Sequence, residues 1–121
     1  MPSSAVQADA LLCVNELVVQ LSEAASRHAQ RRTDVRYPWG VVIEYGPPGR
    51  TGDAFRSAGQ AWAIDVSYQG IGLLLQRQLE PGKRIGVQLP INDQPVFVDA
   101  EIVFCRHLFG TIHRAGGRFE F

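Results

Sequence analysis

Gln60-Ala61-Trp62-Ala63-Ile64-Asp65-Val66-Ser67-Tyr68-Gln69-Gly70-Ile71-Gly72-Leu73-Leu74-Leu75 is the stretch on which the reading of the fold turns. Trp62, Ile64 and Val66 alternate with Ala63 and Asp65, and Ile71, Leu73 and Leu75 resume a two-residue period after Gly70. Successive strand side chains point to opposite faces, so this pattern predicts two β-strands joined by a short turn. On that parity Ile64 and Val66 face an apolar core, and Asp65 and Ser67 stand together on the outer surface. Gly70 suits the turn into the second strand, where a Cβ would crowd the backbone or a ligand lying against it.

The same period recurs on both sides. Val41, Ile43 and Tyr45 alternate with Val42 and Glu44; Ile85, Val87 and Leu89 follow later, then Val96 to Cys105 and Thr111 to Phe121, which makes six strands. Their connections are rich in breakers. Gly46 to Gly59 holds Pro47, Pro48, Gly49 and Gly52, Glu80-Pro81-Gly82-Lys83 is a tight turn, and Pro90 to Pro95 closes another. Six strands with short links and no helix between them predict a mainly β fold, a six-stranded antiparallel barrel that leaves no exposed edge. A β-sandwich is the alternative.

Before the strands, Ser4 to about His28 reads as one α-helix, with Ser4 and Gln7 in capping-box spacing and no Gly or Pro until Pro38. Ala10, Val14, Leu17, Leu21, Ala24 and His28 form an apolar stripe, widened on one flank by Leu11, Val18 and Ala25. Such a face must be covered. It docks on its own barrel or pairs with a second chain as a homodimer, and both keep the helix away from ligand chemistry. The organisation is therefore a helical segment over residues 1–29 and a barrel over 30–121 that includes an Arg-rich arm at 30–37.

Bulk properties exclude several classes. With 121 residues, 45% apolar and 20% charged, the chain suits one domain with one modest core. Twelve basic and twelve acidic residues cancel, so no global field draws it to a nucleic-acid polymer or an anionic membrane. Any anion site is local. Cys13 and Cys105 fit neither a disulfide framework nor a redox or zinc spacing, which points to reduced thiols and a cytoplasmic location. Met1 to Ala10 lack the basic start of a signal peptide, and no stretch reaches the roughly 20 apolar residues of a membrane span.

Arg27, Arg31, Arg32 and Arg36 gather four guanidinium groups in ten residues, opposed locally only by Asp34. A guanidinium forks two hydrogen bonds to a phosphate or to the O6 and N7 edge of guanine, and its flat face stacks on a purine. Alone, such a run reads as a solvated linker. Asp65 and Ser67 change that balance. An ionised Asp accepts the N1 and N2 protons of guanine, which adenine does not offer, and Ser67 adds a hydroxyl.

Arg32-x-x-x-Arg36 followed by Asp65-x-Ser67-x-x-Gly70 resembles the PilZ domain family, which carries R-x-x-x-R before its first barrel strand and D/N-x-S-x-x-G at a later strand end. Leu79-Glu80-Pro81-Gly82 and the closing Gly117-Arg118-Phe119 are similar to the family's later turns and last strand, so the likeness runs from about Gln30 to Phe121. The resemblance implies a Greek-key barrel and a non-catalytic receptor for cyclic di-GMP, with no cofactor. Arg32 and Arg36 would hold phosphates and guanine edges, Asp65 and Ser67 would fix a guanine, and Gly70 would shape the turn beneath it. Arg31, just before the first motif, implies a stacked pair of ligand molecules. Motility, exopolysaccharide or biofilm output through a protein partner is the implied setting. Three features depart from the family pattern: the long Gly46 to Gly59 connection, the lack of a C-terminal helix pattern, and the N-terminal helix, which is expected to cover an open barrel end.

Other signals carry less. The Gly46 to Gly52 stretch lacks the Gly-Lys-Ser/Thr ending of a phosphate loop and reads as a mobile connection. Cys105, His107 and His113 lack a fourth zinc ligand and suit strand-end surface positions. Asp99 and Glu101 suit the solvent face of a strand, and no hydrolytic set is apparent. Most of Trp39, Tyr45, Trp62, Tyr68, Phe97 and Phe109 suit the core or the barrel rim rather than a stacking track for single strands.

Overall fold

A computed structural model describes residues 3–25 and 35–121. Arg27, His28, Arg31 and Arg32 lie outside those residues. Helix α1 spans Ser3–Ala25, and six strands follow: β1 Tyr37–Gly46, β2 Gly59–Val66, β3 Gly70–Leu75, β4 Arg84–Ile91, β5 Gln94–Phe109 and β6 Ile112–Glu120. All neighbouring pairs are antiparallel and close in the order β1-β2-β3-β6-β5-β4. The closed barrel, not the sandwich, is the fold.

Alternation fills its interior. Ile71, Leu73 and Leu75 of β3, Ile85, Val87, Leu89 and Ile91 of β4, and Val96, Val98, Ala100 and Ile102 of β5 are all buried. The intervening residues of β5, Asp99 and Glu101, sit on the outer wall as their parity requires. At the β4–β5 hairpin, Asn92 (φ 52°) and Asp93 (φ 62°) form the two-residue turn whose left-handed backbone matches strand twist.

Strict alternation fails on β2, for a local reason. Ala61 and Ala63 are the buried residues and Trp62 is 54% exposed, so the core-facing set up to this point is the reverse of the expected one. Ala63 pairs with Leu73, but Asp65 pairs with Gly72 and Val66 with Ile71, which leaves Ile64 as an extra residue in β2. This β-bulge shifts the parity by one, so Val66 re-enters the core and Asp65 turns outward. A second irregularity lies opposite, between Pro38 and Val41 of β1, where Gly40 adopts φ 76°.

Helix α1 docks on its own barrel, against β1, β4 and β5. Ala10, Val14, Leu17 and Val18 are buried in the same core as the strands, with Cys13 and Leu21 packed at its margin. Leu11, expected on the docking flank, is instead exposed, as are Leu12 and Val19. Asn92 Nδ2 donates to Glu16 Oε1 at 2.9 Å, tying the helix to the β4–β5 turn. Full burial of a valine side chain contributes about 1.5–3 kcal/mol, and Val14 and Val18 both reach it. The helix thus covers the barrel end at which β1 starts. Since Tyr37 pairs with Val66, the β2–β3 turn leaves the barrel at that same end.

The Gly46 to Gly59 connection, whose Gly46 to Gly52 stretch is expected to be mobile, is fastened at several points. Ala58 N–H donates to Tyr45 O at 2.7 Å, and Gly49 N–H donates to both carboxylate oxygens of Asp99 at 2.9 and 3.0 Å. A 3-10 turn over Gly52–Ala54 follows, and the Phe55 ring packs on Phe97 at 5.4 Å.

Replacing Val14 with Asp places a charge in the core shared by helix and barrel, and is expected to lower unfolding free energy by about 3 kcal/mol or more in a urea titration. Leu12→Asp on the open face is expected to change it by less than about 0.5 kcal/mol. Equal, small effects would show that the helix does not contribute to the barrel core.

Candidate functional site

Three segments meet on the outer wall near the helix-covered end: residues Val35 and Arg36 leading into β1, the end of β2 with its turn into β3, and β6. The β2 bulge presents Asp65 here, one-fifth exposed. Its carboxylate lies over Gly72, whose missing side chain makes the room: a Cβ there would stand 2.4 Å from Asp65 Oδ1. The two oxygens are shared between two arginines. Arg36 Nη1 donates to Oδ1 at 3.0 Å, and Arg114 Nη2 donates to Oδ2 at 3.5 Å. Arg36 and Asp65, parts of motifs 29 residues apart, are therefore in contact.

Ser67 is not on the outer surface. It is 2% exposed, because the strand ends at Val66 and the turn folds the side chain inward. Its Oγ accepts the N–H groups of Gln69 and Gly70, both at 3.1 Å, and its own N–H donates to Gly70 O at 2.9 Å. Ser67 thus holds the turn from inside. Gly70 is required by close approach: a Cβ would sit 2.3 Å from Gly117 O of β6. Phe119 N–H donates to Gln69 O at 2.7 Å, which locks the turn to β6.

Arg36, Ser67, Gln69, Gly70, Val103, Gly117 and Arg118 line a shallow cleft of about 270 Å³. Arg118 Nη2 donates to Glu101 Oε1 at 2.5 Å. Summed over these side chains, Arg36, Arg114 and Arg118 exceed Asp65 and Glu101 by one positive charge, a local excess in a chain with no net charge. The Arg36–Asp65 pair is partly solvated, with Arg36 38% exposed, so it contributes no more than about 1 kcal/mol.

Sequence reading therefore brought together Arg36, Asp65, Ser67 and Gly70, while Arg31 and Arg32 fall outside the described residues. It missed Arg114, Gln69 and Arg118. Outward parity on β6, with Ala115, Gly117 and Phe119 buried, was the available signal for Arg114 and Arg118. Which strand lies beside β3 was not readable, and that neighbour brings Arg114 to Asp65 and Arg118 beside Gly70.

The other signals resolve differently. Cys105 Sγ accepts Leu79 N–H at 3.4 Å, and the His107 and His113 rings meet edge-on at 5.4 Å across the β5–β6 hairpin. Of the aromatics, Tyr45 is buried and Trp39 packs at the core margin. Trp62, Tyr68 and Phe109 are exposed; Tyr68 lies in the β2–β3 turn and Phe109 at the end of β5, both rim positions, whereas Trp62 stands on the outer wall within β2. Trp62 and Phe109 line a separate apolar groove of about 480 Å³ with Val42, Leu74 and Ile112.

Ser67→Ala is expected to leave the Gln69 and Gly70 N–H groups without their acceptor and to cost about 1–3 kcal/mol of stability by urea unfolding, in the absence of any ligand. No change would mean that the hydroxyl has no part in building the turn.

Comparison with known proteins places this geometry. The PilZ domain model matches residues 27–119. No curated protein matches the chain. Among solved structures, that of the Bacillus subtilis inhibitor of motility (MotI/DgrA) is similar in fold, with a TM-score of 0.52 and 14% identity, over 78% of this chain and 45% of that one. This chain thus corresponds to less than half of that protein's length. With most of its length matched by the family model and the expected closed barrel in place, the chain belongs to the PilZ domain family.

Proposed function

We propose that this PilZ domain is a receptor for cyclic di-GMP and acts as a binding switch rather than as an enzyme. The observation that carries the reading is the contact between Arg36 and Asp65, which sets the second arginine of one motif on the carboxylate of the other at the mouth of the Ser67–Gly70 turn. A carboxylate flanked by guanidinium groups offers complementary acceptors and donors. Asp65 takes the N1 and N2 protons of a guanine, and Arg36 turns to a phosphate or to the O6 and N7 edge. Arg32 joins Arg36 in this role, and Arg31 supports a second, stacked ligand molecule.

The switch follows from connectivity. Arg36 stands just ahead of β1, at the end of the segment that links Ala25 of α1 to Tyr37. Drawing Arg36 from Asp65 onto a ligand displaces Val35 and Arg36 at the start of β1, near the barrel end that α1 covers, and so alters the surface offered to a protein partner. The chain's setting in this reading is the cytoplasm, and motility, exopolysaccharide or biofilm formation is the output. A second reading, a PilZ-fold interaction module that binds no nucleotide and works through its helix, draws support from the exposed Leu11, Leu12 and Val19 of α1.

Calorimetric titration separates the two. Cyclic di-GMP is expected to bind at micromolar or tighter concentration with two molecules per chain, cyclic di-AMP and GTP far more weakly, and Arg36→Ala is expected to weaken binding about 10- to 100-fold. Absence of heat with cyclic di-GMP would favour the non-binding module. Equal binding of all three nucleotides would reduce the site to a general anion trap, and saturation at one ligand would remove the stacked pair.

A further inference from the structure

Asp65 is held by two arginines that are anchored very differently. Arg36 precedes β1 and is 38% exposed. Arg114 lies within β6, with Leu74 of β3 on one side and Arg106 of β5 on the other, so its backbone is fixed by ladders at both edges. Its Nε is buried and has no hydrogen-bond partner among the described residues, while its Nη2 reaches Asp65 Oδ2. The side chain is 31% exposed, and its Nε end is set into the wall while its Nη2 end turns to the carboxylate.

The proposed binding mode requires Arg36 to leave Asp65, and Arg114 is then the cation that remains beside it. We propose that Arg114 is a positioning residue for base selectivity: it holds Oδ2 of Asp65 so that the carboxylate keeps the orientation that accepts both N1–H and N2–H of guanine. This inference rests on the cyclic di-GMP reading and deepens it. The carboxylate has acceptor capacity for both partners, since each oxygen carries two lone pairs. Gly72 adds the complementary constraint, because the carboxylate fills the space above it and lacks a second seat there. Without Arg114 the carboxylate rotates among solvated orientations, and the N2 contact, which needs both oxygens aligned, is lost first.

The test compares cyclic di-GMP with cyclic di-IMP, whose hypoxanthine bases lack the N2 amine, on wild type, Arg114→Ala, Arg114→Lys and Arg106→Ala. In Arg114→Ala the preference for cyclic di-GMP is expected to fall about tenfold, while affinity for cyclic di-IMP changes less than about threefold. Arg114→Lys keeps a charge without the planar fork and should restore part of the preference. Arg106→Ala removes a neighbouring charge and should leave the preference unchanged. Thermal unfolding of each variant is followed in parallel, and Arg114→Lys carries the test if Arg114→Ala does not fold.

An equal loss of affinity for both ligands in Arg114→Ala would overturn the positioning role in favour of a phosphate contact. A matching fall in Arg106→Ala would overturn it in favour of a general field. Wild type that binds neither ligand would overturn the receptor reading itself, and Arg114's role with it; wild type that binds with no change in any variant would overturn the Arg114 role alone.

Discussion

The single extra residue at Ile64 is the constraint on which the site depends. Ala61 and Ala63 face the core, so uninterrupted alternation would send residue 65 inward as well and Val66 outward. A carboxylate in a barrel lined by Leu73, Ile71 and Val87 would cost several kcal/mol or lose its charge. The bulge resolves the conflict within one peptide unit. Val66 fills the core, Asp65 emerges over Gly72, and the strand ends so that Ser67 turns inward to hold the next turn. Irregularities of this kind recur where a sheet re-aims a functional side chain.

The neighbouring glycines belong to the same device. Gly70 allows the turn to press against the Gly117 carbonyl, and Gly72 leaves the space that the Asp65 carboxylate fills. Two close approaches therefore set the height and direction of the carboxylate above the wall. The arginines on this wall are less alike than a count of charges suggests. Arg114 comes from the interior of the sheet, Arg118 is engaged by Glu101, and Arg36 enters from the segment ahead of β1. A cation carried within the sheet and one carried ahead of β1 share the same carboxylate, an arrangement in which one contact can be displaced while the other stays.

Much of this was legible from residues alone. The two-residue period announced the strands, breakers marked the turns, and the helical stripe marked the face that docks on the barrel, because each rests on local spacing. Asp65 was correctly placed outside and Val66 inside, but on a parity that fails at Ile64 and Trp62, since a bulge leaves no trace in an apolar-polar alternation of this length. Ser67 was misplaced because alternation stops where the strand stops. Leu11 was assigned to the docked flank and Cys13 was not, a rotation of the helix decided by packing against β1, β4 and β5. Arg114 is the clearest example of information held by topology: β6 adjoins β3, its distant predecessor in the chain, and only that adjacency brings Arg114 to Asp65.

A titration followed by backbone amide and arginine side-chain nuclear magnetic resonance tests the central claim, that the outer wall around Asp65 is where cyclic di-GMP binds. The account predicts that the amides of Asp65, Gln69, Gly70 and Gly72 and the guanidinium signals of Arg36 and Arg114 shift together, with Gly82 and Gly110 unmoved. Shifts confined to the Trp62–Phe109 groove, or no shifts at saturating ligand, would contradict it.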